Sequence, residues 1–290
     1  MFGFYNIHKP PGPTSHDMVA AVRRMLPRRT KVGHTGTLDP FASGVLVVCV
    51  GPATRLADRV QRLPKRYWAE VTLGAISTTD DPQGQITRSR VSTLPGDEAV
   101  RHAAAKFVGE IQQTPPVHSA VHVGGERAYK LARAGETPKL APRSVRIDRI
   151  DVLDYAYPRL RLDVTCGSGT YIRALARDIG RVLTVGGYCS ELARTGVGDF
   201  TLETAVSPEQ LDVVADLLPP MLAVENLPRV TAGGETLRRV LSGNTITAPD
   251  DMSGTNEAAI VDDAGRLVAL ARVDADERLL HPFKVFIGTS

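Results

Sequence analysis

The chain lacks any long apolar run. Its longest, Val45–Val50, falls far short of the roughly 18 residues that a membrane-spanning helix needs, so no membrane span is expected. Met1–Gly12 has no basic segment leading into an apolar core, and no secretory leader is expected. Cysteine is scarce. Cys49, Cys166 and Cys189 are odd in number and far apart in apolar surroundings, which fits buried thiols in a reducing cytoplasm and not a disulfide framework. Gly167-Ser168-Gly169-Thr170 opens a helix without the Gly-Lys-Ser/Thr ending of a phosphate-cradling loop, so nucleotide hydrolysis is not expected. His118 and His122 stand four apart, but Pro115-Pro116 and Gly124-Gly125 bracket them and no third ligand is evident. No metal and no cofactor are therefore expected. Repeats, heptads and low-complexity tracts are missing too.

What is present is an ordinary globular composition, 42% hydrophobic and 23% charged, in a 290-residue chain with room for two domains. Charge is unevenly spread. Residues 1–66 hold eleven Lys/Arg against Asp17, Asp39 and Asp58, a net +8, and the remaining residues sum to −5. A solvated basic face is the plain explanation; a polyanionic partner is the sharper one, because clustered cations gain affinity by displacing phosphate counterions.

Thr14, with Asp17 three residues on, marks a helix start, continued by the apolar stripe Val19, Val22, Leu26. Val45–Val50 reads as a buried strand, and Leu56, Val60, Leu63 as a short basic helix. Tyr67, Ala69, Val71, Leu73 alternate as a strand does, and so do Leu160, Leu162, Val164, Cys166. Residues 97–108 are expected to be helical through Val100, Ala104 and Phe107, and a helix follows Thr170 through Ile172, Leu175, Ile179 and Val182. Residues 113–146 carry proline and glycine pairs and six Lys/Arg against two Glu, the pattern of a basic insertion. Pro208, Pro219-Pro220 and Pro228 punctuate a link to a tail with strands at Ala258–Val261 and Val268–Val273. The fold class expected is α+β.

Asp39 stands in Gly33-His34-Thr35-Gly36-Thr37-Leu38-Asp39-Pro40, between a glycine-broken turn and a proline, ahead of an apolar strand. Alone it reads as a turn residue. Tyr67 alone reads as a core aromatic, and His34 as a loop histidine. Arg173 is less easily dismissed: it falls in the first turn of a helix, where the positive helix end disfavours cations, which suggests a nearby anion.

These segments carry a resemblance. Lys9-Pro10-Pro11-Gly12-Pro13-Thr14-Ser15-His16-Asp17 resembles the opening motif of the TruB family of tRNA pseudouridine synthases, and Gly33–Pro40 resembles its catalytic G-H-x-G-x-L-D-P motif. Lys65-Arg66-Tyr67 is similar to the family's K-x-Y strand, Gly169-Thr170-Tyr171-Ile172-Arg173 to its G-T-Y-I-R motif, and Leu192–Phe200 to L-R-R-x-x-x-G-x-F. Ala193 departs where arginine is usual, and His118 where tyrosine is usual.

The resemblance implies a mixed, largely antiparallel catalytic sheet over 1–228, with the insertion at about 113–146, and a small β-rich PUA-like RNA-binding domain over 229–290. It implies isomerisation of uridine 55 in the T-loop of tRNA, without a cofactor, by a cytoplasmic enzyme expected to be a monomer. Asp39 would act as nucleophile or base, Tyr67 would stack on the uracil and help remove the C5 proton, and Arg173 would pair with Asp39. His34, Lys9, Tyr171 and Leu192 would bind the RNA.

Overall fold

A computed structural model describes residues 1–286, apart from 120, 124, 129, 130, 132, 133, 135–137, 139, 251 and 253. Strand β1 (Gly3–Lys9) leads through α1 (Ser15–Met25) and β2 (Val32–His34) to β3 (Ser43–Val50), then through a 3-10 turn into α2 (Ala57–Arg62). Helix α1 starts where expected. Thr14 Oγ1 accepts from Asp17 N and Thr14 N donates to Asp17 Oδ2, so two helix-end donors are satisfied reciprocally.

The middle of the chain gives β4 (Lys65–Leu73), the hairpin β5 (Ala75–Ser77) and β6 (Ile86–Arg88), α3 (Asp97–Ala105) and β7 (Gly109–Gln113). A small pair, β8 (His122–Val123) and β9 (Glu126–Arg127), precedes β10 (Arg143–Ala156), β11 (Arg159–Cys166), α4 (Ile172–Val182), β12 (Gly187–Val197) and β13 (Phe200–Thr201). A nine-stranded sheet runs β1-β3-β12-β4-β11-β10-β7, with β2 on β3 and β13 on β12. All its pairings are antiparallel except β3 with β12, so the mixed, largely antiparallel α+β architecture is as expected.

Three details differ from the expectation. Helix α3 stops at Ala105 because the chain turns through Gly109, at φ +103°, into β7, although Phe107 still packs on the core. Val182, expected on the buried stripe of α4, is 42% exposed at the helix end. Gln113 closes β7 and Arg143–Arg146 open β10, so both ends of the basic stretch 113–146 lie in the main sheet.

Beneath the sheet, Ala69, Val71, Leu160, Leu162 and Val164 pack against Leu175, Ala176 and Ile179 of α4 and Val100 of α3. Helix α4 lies close enough to β12 that a side chain on Gly180 would run into the backbone of Gly186 and Gly187. On the other side of β1 and β3, Val19 and Val22 of α1 and Leu26 just after it are buried as expected, and Met18 joins them.

The tail forms its own five-stranded sheet, ordered β14 (Arg229–Thr231), β16 (Glu257–Val261), β17 (Leu267–Asp274), β18 (Leu279–Val285), β15 (Ile246–Thr247), with α5 (Gly234–Leu241) beside it. Its strands β16 and β17 fall where the pattern put them. One face carries Ala259, Val261, Leu267, Leu270 and Phe286 into a core shared with Phe4, Val45 and Phe200. Phe2 stacks on Phe286, and Arg59 pairs with Glu257 across the same seam.

Candidate active site

The turn carrying Asp39 links β2 to β3, and the opening motif holds it. Pairing of β1 with β3 sets Lys9 opposite Gly44. From there Lys9 Nζ donates to the carbonyls of Pro10 and Pro13, at 2.8 Å each, and of Pro40 at 3.3 Å. Gly12 N also donates to Pro40 O, at 2.7 Å. Ser15 Oγ accepts from Leu38 N at 2.8 Å and donates to Leu38 O at 3.0 Å.

The turn's other side is held by Arg194 of β12. Its guanidinium donates to Val45 O at 2.7 Å, Gly36 O at 3.2 Å and Thr37 O at 3.4 Å. β3 meets β12 at Gly44, whose φ is +108° and where a Cβ would collide with the Arg194 backbone. Residues on both sides of Asp39 are therefore fixed, at a net contribution of about 1 kcal/mol per hydrogen bond.

A cavity of about 600 Å³ opens above this turn, lined by Asp39, Tyr67, Tyr171, Arg173, Leu192 and Arg194, with Lys65, Thr79, Asp81 and His118 among the rest. That is an ordinary size for a small-ligand site. Asp39 and Asp81 are the anions that the place of Arg173 in its helix demanded. The arginine's Nη2 donates to Asp39 Oδ1 at 3.3 Å, and Nε lies 2.9 Å from Oδ2, close enough for charge attraction though not aimed along that line. Arg173 is only 3% exposed, and its guanidinium turns the remaining donors to Asp81 Oδ2 at 3.0 Å, Thr79 O at 2.9 Å and His118 O at 3.0 Å. One arginine thus joins two carboxylates.

The charges oppose each other. Burial pushes the Asp39 carboxyl above its ordinary range, Arg173 pulls it back, and Asp81 adds to the push. Burial also raises the Tyr67 phenol, while Arg194, its cross-strand neighbour on β12, pulls it down. At neutral pH Tyr67 is a phenol and not a phenolate.

The remaining expected residues separate into two groups. Leu192 and Tyr171 line the cavity, with Arg143 stacked 4.8 Å over the Tyr171 ring. His34 is half-buried on β2 and absent from the cavity's walls; its burial lowers its pKa, so it is neutral. Lys9 differs from the expectation. It is fully buried, and its ammonium braces backbone where contact with RNA was anticipated. A buried cation with three carbonyl acceptors has no reach to a ligand, and desolvation brings it down to about 8.

Asp81 lies outside every motif singled out in the sequence, and Ser15 and Arg194, though inside two of them, were assigned no role there. Asp81 could have been sought from the spacing of Arg173 and Arg177, one helical turn apart, which calls for two acids; Asp80-Asp81 is such a pair. Among the described residues, Asp274, Glu277 and His281 are grouped closely enough to hold a metal, but they sit on the tail's surface, where Asp274 Oδ1 already accepts from Glu277 N.

Residues 23–172 match the family model described as TruB family pseudouridylate synthase, N-terminal domain. The chain is 46% identical over 245 residues to a tRNA pseudouridine synthase B of Symbiobacterium thermophilum, covering 83% of this chain and 82% of that one. It is 41% identical over 296 residues to one of Dehalococcoides mccartyi, covering 99% and 97%. The chain belongs to the TruB family of pseudouridylate synthases. Among solved structures it resembles a chain of a Cbf5-Nop10-Gar1 complex, with TM-score 0.73 and 28% identity over 99% of this chain and 85% of that one. It also resembles a chain of an H/ACA RNP bound to a substrate RNA containing 2′-deoxyuridine, with TM-score 0.72 and 27% identity over the same shares. The TruB model ends one residue before Arg173, so the arginine that reaches Asp39 lies just outside the matched span.

Proposed function

We propose that the chain isomerises uridine 55 in the T-loop of tRNA, with Asp39 as the reacting carboxylate. The observation that carries this reading is the Asp39–Arg173 pair on the wall of a cavity that also presents Tyr67 and Leu192. The reaction breaks the bond from ribose C1′ to uracil N1, turns the base, and joins C1′ to C5. C5 gives up a proton and N1 gains one, so the product is an isomer and no redox partner is consumed. A stacked base is out of reach, so the nucleotide must leave the stack, at a cost of about a few kcal/mol.

Attack of Asp39 at C1′ and removal of the C2′ proton both require an ionised carboxylate. Arg173 supplies the opposing charge, and the buttressed turn keeps the carboxylate in place. Tyr67 stacks on the flipped uracil; held as a neutral phenol, it takes part in C5 proton removal as a relay and stores no charge. His34, half-buried and neutral, enters the RNA where the uridine departed. The five-stranded tail acts as a PUA-like contact to a distant part of tRNA, and the protein works as a cytoplasmic monomer.

The test is a T-arm stem-loop carrying tritium at C5 of uridine 55. Stoichiometric release of label into water is expected. Tight binding without release would overturn the reading in favour of an RNA-binding protein without chemistry.

A further inference from the structure

Arg173 is followed one helical turn later by Arg177, and the two arginines grip the same two stretches of chain. Arg177 Nη1 lies 2.9 Å from Asp80 Oδ2, and Nη2 donates to Thr114 O at 2.9 Å. One turn earlier, Arg173 meets Asp81 of the same loop and His118 O of the same segment. Successive acids on the loop after β5 therefore face arginines one turn apart, as do residues 114 and 118 after β7. Gln113 adds a third tie. Its amide donates to Tyr171 O at 3.1 Å and accepts from Tyr171 N at 2.8 Å, at the start of α4.

Asp80 has φ +59°, a left-handed conformation that persists in a non-glycine residue only where surrounding contacts determine it. Here they do. Arg177 holds its carboxylate, Ser77 O accepts its N–H, and its own carbonyl accepts from Cys189 N at 3.0 Å. With the backbone so turned, Asp80 and Asp81 both reach α4. Arg177 is mostly buried, is absent from the cavity's walls, and makes no contact with Asp39.

We propose that Arg177, through Asp80 and Thr114, is a positioning residue for the isomerisation: it fixes the two chain segments whose acceptors aim Arg173 at Asp39. The inference rests on the function proposed above. The Arg177–Asp80 pair makes a second tier behind the reacting pair. Its loss leaves Arg173 with the same acceptors in a less determined arrangement, and a misplacement on the order of 1 Å at a reacting centre can cost about a hundredfold in rate.

The experiment uses the full-length protein and the labelled T-arm, and measures RNA affinity and single-turnover rate separately. The variants are Arg177→Met, which keeps the apolar stem without charge, Arg177→Lys, Asp80→Asn, which tolerates the left-handed backbone without the carboxylate, and the Arg177→Met/Asp80→Asn double. Arg177→Met and Asp80→Asn should each slow the chemical step about ten- to a hundredfold, with unchanged affinity. Arg177→Lys should recover part of the rate, since an ammonium reaches one acceptor but lacks the planar fork. The double variant should lose little more than either single, because the two residues act as one unit.

A purely fold-stabilising role would lower the melting temperature and leave the single-turnover rate, measured well below that temperature, at the wild-type value; that result would overturn the proposal. So would losses that follow affinity, or that multiply in the double variant. An Arg177→Met protein that fails to fold leaves Asp80→Asn to decide. Absence of label release by the wild type would instead remove the proposed function itself, before any variant is compared.

Discussion

Buried charge separates the two parts of the chain. Lys9, Lys65, Asp81, Asp163, Arg173 and Arg194 are buried within the first 228 residues. Between 229 and 286 the buried ionisable side chain among the described residues is Asp262, which serves its own turn by accepting from Ala264 N and Arg266 N. The tail is instead organised by Val240, Ile260, Val268 and Leu280, groups whose burial is favourable without partners. Each buried charge in the catalytic part must be matched, because an unmatched one costs several kcal/mol. The first part therefore accepts desolvation where geometry must be specified, and the tail has no comparable centre among its described residues. Substitutions should strike chemistry in one part and only stability in the other.

The largest effect is expected at Asp39. Asp39→Asn keeps the shape and removes the reactive charge, so label release should be abolished while RNA affinity stays within about tenfold, or ~1.4 kcal/mol. Burial raises the carboxyl's folded pKa above its unfolded value, so ionised Asp39 opposes folding, and that cost sets in as pH rises through this window. Melting curves should then place Asp39→Asn above wild type at pH 7 and level with it below the window. Multiple turnover by a clean Asp39→Asn preparation would contradict the assigned role.

Next comes Arg173. Arg173→Ala leaves Asp39 and Asp81 facing each other without a cation, and denaturant unfolding should show a loss of about 3–5 kcal/mol at neutral pH. The loss should shrink as pH falls, because a protonated Asp39 needs no partner and the folded state then binds the extra proton. The acidic limb of the single-turnover rate should move to higher pH, with Arg173→Lys intermediate. An unmoved limb would mean that Arg173 orients RNA without tuning the carboxylate.

The same contrast explains what could be read from the sequence. Strands β4 and β11 alternate plainly, and β16 and β17 are short apolar runs buried on consecutive residues, so residue pattern was sufficient. Strand β10 buries only Val145 and Ile147 among arginines and aspartates, and register shifts after Ile147 and Val152 break its period; no stretch of it stood out. Strand β12 hides its alternation in the same way, with shifts after Cys189 and Arg194. At the site, Arg173 was legible because a cation in a helix's first turn needs an anion. Asp81 was not, since an acid beside Pro82 and Gly84 looks like any surface turn until α4 is laid against it. Lys9 misled because a motif position does not tell whether an ammonium faces a ligand or a ring of carbonyls.

A smaller effect, on stability alone, is expected in the tail's own core. Leu280 is fully buried among Ile246, Ala271 and their neighbours, so Leu280→Ala should cost about 2–5 kcal/mol by denaturant unfolding. Its single-turnover rate on an isolated T-arm, measured under folding conditions, should equal wild type. A slowed chemical step would show that the shared core around Leu270 and Phe4 transmits strain to the site, and would weaken the separation.

The smallest expected effect concerns salt. Residues 1–66 hold the +8 excess, and residues 229–290 sum to −2. Arg23, Arg24, Arg28 and Arg29 are exposed at the end of α1 and in the turn after it, and none has a carboxylate partner among the described residues. Each phosphate that the protein no longer neutralises should reduce the slope of log K against log salt by roughly 0.7 to 0.9. Charge reversal at those four should flatten the slope for the T-arm and for full-length tRNA alike. Deleting the tail is a poor comparison, because removing Val261, Leu267, Leu270 and Phe286 would uncover Phe4, Val45 and Phe200. Reversal of Arg229, Arg238 and Arg239 is the cleaner one, since all three are exposed and the tie at stake is the bond from Arg239 to Thr245 O at 2.7 Å. Those three should leave the T-arm slope unchanged and alter only full-length tRNA, by less than the α1 set. If they flatten the slope more than the α1 reversals do, the tail contributes an electrostatic edge that its net charge conceals, and the contrast between the two parts holds for chemistry but not for binding.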